Sequence, residues 1–193
     1  MEFLDIFDEK MQPIGRAERE IAHRDGLIHQ VVHVWILSKV DGETALVFQQ
    51  RAFDKKDFPG YYDIAVGGHV GAGEEPLSSA LREMREEVGL ELTEADLEYC
   101  GVHRDDCHVG AFDNREFAHV YLYRDPAPHF QPGPEVERMV WVKVSEYKRK
   151  LEGAASIAAQ TEKGETVIIH EQEWCGHHDE AQRFVMGAVK EEM

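Results

Sequence analysis

Three glutamates recur at helical spacing within the stretch GHVGAGEEPLSSALREMREEVGL, which runs from Gly68 to Leu90. At about 100° of rotation per residue, Glu83, Glu86 and Glu87 lie close together on one side of a helix. Carboxylates at these spacings repel one another, so a compensating cation is expected. Hard divalent cations such as Mg²⁺ take oxygen ligands and commonly bridge protein carboxylates to substrate phosphates. The pattern therefore predicts a metal platform, with a solvated acidic face as the alternative.

A single helix can position these carboxylates, and the sequence marks both of its ends. Its apolar stripe, about 120° from the glutamates, consists of Leu77, Ala80, Leu81, Met84 and Val88. Pro76 suits the first helical position, where its missing N–H is no loss. Gly89 suits the left-handed residue that follows the last turn. We therefore expect a helix over about residues 76–88, with a buried stripe and a separate carboxylate face.

The residues around the glutamates follow the spacing of a known motif. Gly68 is followed by Glu74, Arg82 and Glu83, and then by Glu86, Glu87, Gly89 and Leu90, so residues 68–90 resemble a complete Nudix box. Nudix proteins use Mg²⁺ or Mn²⁺ to hydrolyse diphosphate linkages in nucleoside diphosphate derivatives or related diphosphates. The resemblance implies an α/β Nudix fold, with a mixed β-sheet sandwiched between helices (α/β/α), and we expect one domain over residues 1–193.

The resemblance also implies which residues bind the metal. Glu83, Glu86 and Glu87 would be metal ligands, and the Gly67 carbonyl would be a further one. A carboxylate must take the proton of the attacking water, and that base stays open among Glu86, Glu87 and Glu116.

Other box residues would have structural roles. Arg82 would pair with Glu74 and hold the glycine-rich loop against the helix, next to the catalytic glutamates. Gly68 and Gly89 would shape the two ends of the box. These assignments come from the resemblance.

Segments outside the box resemble the Nudix branch that includes isopentenyl diphosphate isomerase. In the isomerases, histidines and glutamates hold a second metal, and the residues that correspond here are His23, His29, His69 and Glu116. Asn114 stands where a second isomerase glutamate is expected, and this weakens the prediction of an intact second site.

Gly67 marks the main departure from the isomerases, which carry their catalytic cysteine at this position. Glycine offers neither a thiolate nor a proton donor. We therefore expect a Mg²⁺-dependent hydrolase of a nucleoside diphosphate derivative or related diphosphate. The alternatives are an isoprenoid diphosphate hydrolase or isomerase-like enzyme, and a non-catalytic module that only binds nucleotides.

Substrate specificity is expected from loops over residues 51–60, 104–115 and 126–136. The first of these, RAFDKKDFPG, offers the cations Arg51, Lys55 and Lys56 as candidate phosphate contacts, with a solvated loop as the alternative. Candidate aromatic contacts for a base are Phe53, Tyr61, Tyr62 and Phe112, although core packing is the expected role of at least half of them.

Composition restricts the partners and the compartment. Asp and Glu outnumber Lys and Arg by 38 to 21, for a formal net charge of −17, which disfavours nucleic acid as a partner and favours a bridging metal. Three irregularly spaced cysteines, Cys100, Cys107 and Cys175, are expected to be free thiols. No apolar run is long enough to span a membrane, so we expect a cytoplasmic enzyme of small-molecule diphosphates, monomeric or homodimeric.

The remaining pattern predicts the supporting elements. A strand, a turn at residues 8–10 and a second extended segment are expected over residues 3–16, followed by a loop over residues 23–29. Further strands are expected at 30–38, 44–50, 61–66, 96–103, 116–124, 137–144 and 166–170, with a hairpin turn at Asp41-Gly42. Helices are expected at 145–151, capped by Ser145, and at about 178–192. His33 reads as structural, and residues 174–178 as a turn rather than a metal motif.

Overall fold

The strands of the computed structural model account for most of its core, and the structure describes residues 2–109 and 112–191. In chain order the strands are β1 Phe3–Phe7, β2 Pro13–Glu18, β3 His29–Val40, β4 Glu43–Arg51, β5 Tyr62–Ile64, β6 Val66–His69, β7 Leu97–Val109, β8 Phe112–Arg124, β9 Val136–Lys143, β10 Ser156–Thr161 and β11 Thr166–His170. The helices are α1 Arg19–Arg24, α2 Pro76–Val88 and α3 Val144–Leu151, and the helical segments His178–Glu180, Ala181–Val185 and Met186–Glu191 form the C-terminal helix.

Nine strands form one mixed sheet, as the α/β expectation required. Its order is β11-β10-β9-β4-β3-β8-β7, with β5 paired to β4 and β6 paired to β3. β3 and β8 run parallel, and the other pairs in this sheet are antiparallel. β1 and β2 form a separate hairpin.

The central strands β3 and β4 separate along part of their length, and the glycine loop begins in the gap between them. Residues 36–40 of β3 pair with 43–47 of β4, but residues 31–34 of β3 pair with β6 and residues 48–50 of β4 pair with β5. The chain therefore crosses from β4 to β3 between β5 and β6. Gly67 and Gly68 arrive opposite His33 and Val32 of β3.

Alternate residues of β3 face two different apolar clusters, because side chains on a strand point alternately to its two faces. Trp35 and Leu37 pack in a cluster with α3 and the C-terminal helix. Val34 and Ile36 pack in a second cluster with α2. The sheet therefore lies between helices, and the predicted α/β/α arrangement is confirmed.

Helix α2 begins at Pro76 and ends at Val88, as predicted from its end residues. Ala80, Met84 and Val88 are fully buried. Gly89 has a φ of 72°, and its N–H donates to the Arg85 carbonyl at 3.1 Å, so the left-handed ending is confirmed. A hairpin turn at Asp41 and Gly42, both with positive φ, is also as predicted.

Several boundaries differ from the sequence prediction. Residues 104–115 were expected to be a loop, but β7 extends to Val109 and β8 begins at Phe112; residues 110 and 111 lie outside the described residues. The polar stretch forms strands because β7 and β8 pair along it, and the Arg104 guanidinium lies 5.1 Å from the centre of the Phe117 ring across that pair. Helix α1 over Arg19–Arg24 begins after the predicted N-terminal segment and includes His23, and β3 begins at His29, so the loop prediction over 23–29 was partly wrong.

Other corrections concern short elements. The single strand expected over 61–66 is two strands, separated at Ala65, because the chain changes partner there. The predicted cap Ser145 lies inside α3, which follows Lys143 and has no side-chain cap. β10 was not predicted, although Ile157 and Ala159 alternate as buried residues.

The C-terminal helix was expected over residues 178–192, and the structure has it over 178–191, with a wider turn at Ala181–Val185; residue 192 lies outside the described residues. Ala181, Val185 and Val189 are fully buried. Within the described residues, no helix has the length and apolar character needed to cross a membrane.

Candidate active site

Arg82 joins the carboxylate face of α2 to the glycine loop. Its Nη1 donates to Glu83 Oε1 at 2.6 Å and to Glu86 Oε2 at 3.4 Å. Its Nη2 donates to the His69 carbonyl at 3.1 Å and to Glu74 Oε2 at 3.3 Å. The pairing of Arg82 with Glu74 is therefore as predicted, and the same guanidinium also orients two of the candidate metal ligands. A planar group with several donors suits this bridging role.

Glu87 occupies the inner end of this carboxylate face. Its Oε2 accepts hydrogen bonds from the Gln49 side chain at 3.1 Å and from the Gly67 N–H at 3.2 Å. Burial, and then the charge of Glu83, raise the pKa of Glu87 to about 8. Burial also raises the pKa of Glu83. Two adjacent carboxylates that burial makes hard to ionise match the donor chemistry of a hard divalent cation, which would displace the proton.

Two glycines allow these carboxylates to reach their positions. A Cβ at Gly68 would lie 2.2 Å from Cδ of Glu83, so any side chain at residue 68 would displace that glutamate. A Cβ at Gly133 would lie 2.3 Å from the Glu86 carbonyl oxygen. The box therefore needs glycine at residue 68 because of the close approach of Glu83. Gly133 was not predicted to contribute.

The second group of predicted ligands also comes together. The strand registers place His29 of β3 beside Glu116 of β8, and the neighbouring strand β6 ends at His69. His23 Nε2 lies 3.0 Å from His69 Nε2, and His29 Nε2 lies 3.5 Å from Glu116 Oε1. His29 is fully buried, and its Nε2 makes no well-formed hydrogen bond among the described residues, with the Glu116 carboxylate as its polar neighbour. We refer to His23, His29, His69 and Glu116 as the histidine cluster.

The protonation of the histidine cluster suits a metal. Burial lowers the pKa of His23 to about 4 and that of His69 to about 3, so both are neutral at pH 7. Burial would raise the pKa of Glu116, but the imidazole of His29 overcomes this and lowers that pKa to about 2. Neutral imidazoles and an ionised carboxylate are the forms that bind cations. Asn114 donates a hydrogen bond to Glu116 Oε1, at the position where a second glutamate was expected.

Some of the residues predicted to contact substrate are paired with carboxylates or carbonyls of the protein, and others are exposed. Arg51 donates to Asp63 at 3.3 Å and to the Asp57 carbonyl at 3.1 Å, and Lys55 Nζ lies 2.5 Å from Glu135. Lys56 and Phe53 are exposed.

Two of the four aromatic residues predicted as base contacts, Tyr62 and Phe112, cannot be assigned that role. Tyr62 is buried, and Arg138 donates to its hydroxyl at 3.2 Å, so it has a core role; the Phe112 side chain lies outside the described residues. A cavity of about 470 Å³ borders Phe53, Tyr61 and Gln50. Gln49 donates a hydrogen bond to Glu87, and successive residues of a strand face opposite sides of the sheet. The cavity beside Gln50 therefore lies on the face of β4 opposite to Glu87.

Four polar residues near His33 were not predicted as functional. His177 and Glu180 at the start of the C-terminal helix approach His33 of β3, together with Asp63 and Asp105. The sequence contained one usable signal, because residues 177 and 180 are three apart and therefore share a helix face. Their partners are far away in sequence and could not be found from spacing.

Comparison with known proteins agrees with the fold and the box. The NUDIX domain family matches residues 28–164. An uncharacterized Nudix hydrolase of Clostridium acetobutylicum is 33% identical over 154 residues, which cover 78% of this chain and 74% of that protein. Isopentenyl-diphosphate Delta-isomerase 1 of Aromatoleum aromaticum is 31% identical over 140 residues, which cover 71% of this chain and 75% of the isomerase. The crystal structure of DR0079 from Deinococcus radiodurans superposes with a TM-score of 0.60 at 25% identity, covering 79% of this chain and 90% of that one.

These matches bear on the two similarities inferred from sequence. The family match over residues 28–164 includes residues 68–90, so the predicted membership of the Nudix family is confirmed, and the roles of the individual box residues stay predictions. The similarity to isomerases, first suggested by the histidines, is also confirmed at the level of sequence. The chain therefore belongs to the Nudix family and is a hydrolase that acts on phosphorus-containing acid anhydrides.

Proposed function

We propose that this enzyme hydrolyses a diphosphate linkage in a nucleoside diphosphate derivative or a related organic diphosphate, with Mg²⁺ or Mn²⁺ as its cofactor. Nudix hydrolases generally use divalent cations and act on small molecules. The observation that carries the proposal is the position of Glu87, a carboxylate with a pKa raised to about 8 beside a second buried carboxylate, Glu83. Such a pair is unfavourable in the protein alone and favourable around a cation.

Glu83, Glu86, Glu87 and the Gly67 carbonyl would hold the ion. When bound, a divalent cation neutralises diphosphate oxygens and lowers the pKa of a water molecule. The surrounding residues prepare this arrangement. Gln49 and the Gly67 N–H fix one oxygen of Glu87, and Arg82 orients Glu83.

Glu86 is the best candidate for the general base among the three residues left open by the sequence. Its side chain is 52% exposed, so it can reach an attacking water and later release the proton. Glu116 is buried, and a carboxyl group with its pKa lowered to about 2 accepts a proton poorly at neutral pH. One oxygen of Glu87 accepts two hydrogen bonds, at 3.1 and 3.2 Å, whereas Glu86 accepts one long hydrogen bond of 3.4 Å from Arg82. We therefore assign proton acceptance to Glu86 and metal binding alone to Glu87.

The histidine cluster would hold a second divalent cation. The neutral imidazoles of His23 and His69 favour Mn²⁺ or another transition metal over Mg²⁺, since imidazole nitrogen is a softer ligand than oxygen. The position of His29 Nε2 supports this assignment, because this buried atom makes no well-formed hydrogen bond and faces the Glu116 carboxylate at 3.5 Å.

Substrate contacts are proposed for the exposed members of the 51–60 segment. Lys56 is exposed and can approach an anionic substrate, and the 66% exposed Phe53 can stack on an organic group. Arg51 and Lys55 would contact a substrate only after leaving Asp63 and Glu135. An isoprenoid diphosphate is the second candidate substrate, favoured by the sequence similarity to isomerases together with the histidine cluster.

Chromatographic detection of the phosphate-containing products tests the proposal, since hydrolysis of a diphosphate linkage yields two shorter phosphate compounds. The substrates are nucleoside diphosphate sugars, dinucleoside polyphosphates, nucleotides and isoprenoid diphosphates, each supplied with Mg²⁺ or Mn²⁺. We expect turnover of at least one class by the wild type, a large loss in Glu87→Gln, and no loss in Glu91→Gln, whose exposed carboxylate lies just beyond α2. Full turnover by Glu87→Gln at saturating Mg²⁺ would refute the assigned metal site.

A further inference from the structure

A separate group of ligand-type side chains surrounds the start of the C-terminal helix. His177 and Glu180 come from residues 177–180, His33 comes from β3, Asp63 from β5 and Asp105 from β7. Ligand atoms of His33, His177 and Glu180 all lie within 4.8 Å of one another. None of these five residues belongs to the box or to the histidine cluster, so the proposed hydrolase chemistry leaves them unexplained.

The distances between their atoms suit a small coordination sphere. His33 Nδ1 lies 3.0 Å from Glu180 Oε2, and His177 Nδ1 lies 3.7 Å from the same oxygen. His177 Nδ1 also lies 3.3 Å from Asp105 Oδ2. A tetrahedral ion with ligands at about 2.0–2.1 Å separates neighbouring ligand atoms by about 3.4 Å. The separations of His33 and His177 from Glu180 are therefore close to those between ligands of such a site, and Asp105 lies beside His177.

The outer contacts of His177 follow the pattern of metal-binding histidines, which usually direct their second nitrogen to a carboxylate. His177 Nε2 lies 3.1 Å from Asp63 Oδ1, and Arg51 Nη1 lies 3.3 Å from Asp63 Oδ2. The Asp63 carboxylate therefore fixes the imidazole so that Nδ1 faces Asp105 and Glu180. This leaves Nδ1 as the nitrogen available to an ion.

Burial and charge make the site attractive to a cation. The side chains of Glu180, His33 and His177 are 1%, 7% and 15% exposed. His177 Nδ1 is buried and has no well-formed hydrogen bond within the described part of the chain. Burial would lower the pKa of His177, but the surrounding carboxylates hold it well above its usual value. The carboxylates around His177 therefore favour a bound positive charge, and without a metal ion that charge is the proton on His177.

We propose that His33, His177 and Glu180 bind one transition-metal ion of the zinc or cobalt class, with water as the fourth ligand, and that this ion fastens the C-terminal helix to the central sheet. Two imidazole nitrogens with a carboxylate oxygen favour such ions over Mg²⁺. The site also adjoins the glycine loop, since a Cβ at Gly67 would lie 3.7 Å from Cδ2 of His33. The ion therefore supports the strand that carries the candidate metal ligand Gly67.

Cobalt is the probe of choice, because four-coordinate Co²⁺ absorbs visible light far more strongly than six-coordinate Co²⁺. The test uses a background variant of the whole chain with His23→Gln and His69→Gln, which removes two ligands of the histidine cluster. Excess Mg²⁺ is added to occupy the box. In this background we expect one equivalent of Co²⁺ to bind with the four-coordinate spectrum. His177→Gln should abolish that spectrum, and Asp63→Asn should weaken Co²⁺ binding by about 10- to 100-fold while keeping it. The exposed His129→Gln is the matched control and should change nothing.

Folding is checked separately by circular dichroism, and Glu180→Gln replaces His177→Gln if the latter does not fold. Competition by Zn²⁺ should bleach the cobalt spectrum. If the background protein binds no Co²⁺ in four-coordinate form, or if His177→Gln and Glu180→Gln retain that spectrum, the proposal is overturned. In the first case the cluster is an ion-pair network with protonated His177. Because the readout is a spectrum, its failure is distinct from failure of the diphosphate hydrolysis.

Discussion

Glu87 of α2 accepts a hydrogen bond of 3.2 Å from the backbone N–H of Gly67, twenty residues earlier in the chain. This bond joins the helix of glutamates to strand β6, which pairs with β3 in the central sheet. The acidic face of α2 is therefore held against the sheet at its most buried carboxylate. The Gly67 N–H by itself lowers the pKa of Glu87, but burial and the charge of Glu83 outweigh it.

Removal of the Glu87 charge should stabilise the protein in the absence of metal. Its pKa is raised from 4.5 to about 8, so between these values the native state binds more protons than the unfolded state. Stability contributed by this group is therefore greatest at low pH and falls as the pH rises from about 4.5 to about 8. We expect Glu87→Gln to raise the Tm in EDTA at pH 8 and to change it little at pH 4.5. An equal or lower Tm at pH 8 would contradict the burial argument.

Mg²⁺ affinity should increase with pH up to about 8. The ion binds the ionised form of Glu87, so binding below the raised pKa must release a proton. The expected slope is about tenfold in Kd per pH unit between pH 6 and 7.5, from a single linked proton. Calorimetry in buffers of different ionisation enthalpy would measure both the Kd and the released proton. In Glu87→Gln the slope should vanish; a slope that persists there would assign the proton to another group.

The box helix could be predicted from sequence because its determinants are local. Pro76, Gly89 and the apolar residues between them act within one helix, so spacing alone located both of its ends. The same holds for the hairpin turn at Asp41 and Gly42, where positive φ is required. Family spacing then added the roles of the glutamates, which periodicity could not distinguish from a solvated face.

The parts that sequence did not predict depend on contacts between distant residues. β7 and β8 extend through a polar segment because their backbones pair with each other. A strand held in this way needs no alternation of apolar side chains, so the sequence carries no signal for it. His177 and Asp63 are 114 residues apart, and only the return of the chain past β5 brings them together. In that return, the Cys175 N–H donates to the Tyr62 carbonyl at 2.8 Å.

A methyl group at residue 68 should impair activity without unfolding the protein. In Gly68→Ala the new Cβ would lie 2.2 Å from Cδ of Glu83, and the end of that side chain can move away. The cost to the fold is therefore small, whereas a misplaced metal ligand can reduce turnover by about 100-fold. We expect kcat to fall by about 10- to 100-fold, with a raised Mg²⁺ requirement and an almost unchanged Tm. Gly15→Ala is the control, since no atom lies within 4 Å of its added Cβ.

Replacement of Arg82 by lysine should show that geometry matters as well as charge. Arg82 uses two nitrogens to reach Glu83, Glu74 and the His69 carbonyl, and a single ammonium group cannot span these partners. We expect Arg82→Lys to lower kcat about tenfold or more and to lower stability by about 1–2 kcal/mol, because the loop loses part of its connection to α2. Steady-state kinetics and denaturant unfolding measure the two effects. Arg85→Lys is the control, since Arg85 is 54% exposed and its nearest carboxylate oxygen, on Glu86, is 3.8 Å away. Equal losses in the two variants would show that the bridging geometry of Arg82 is unimportant.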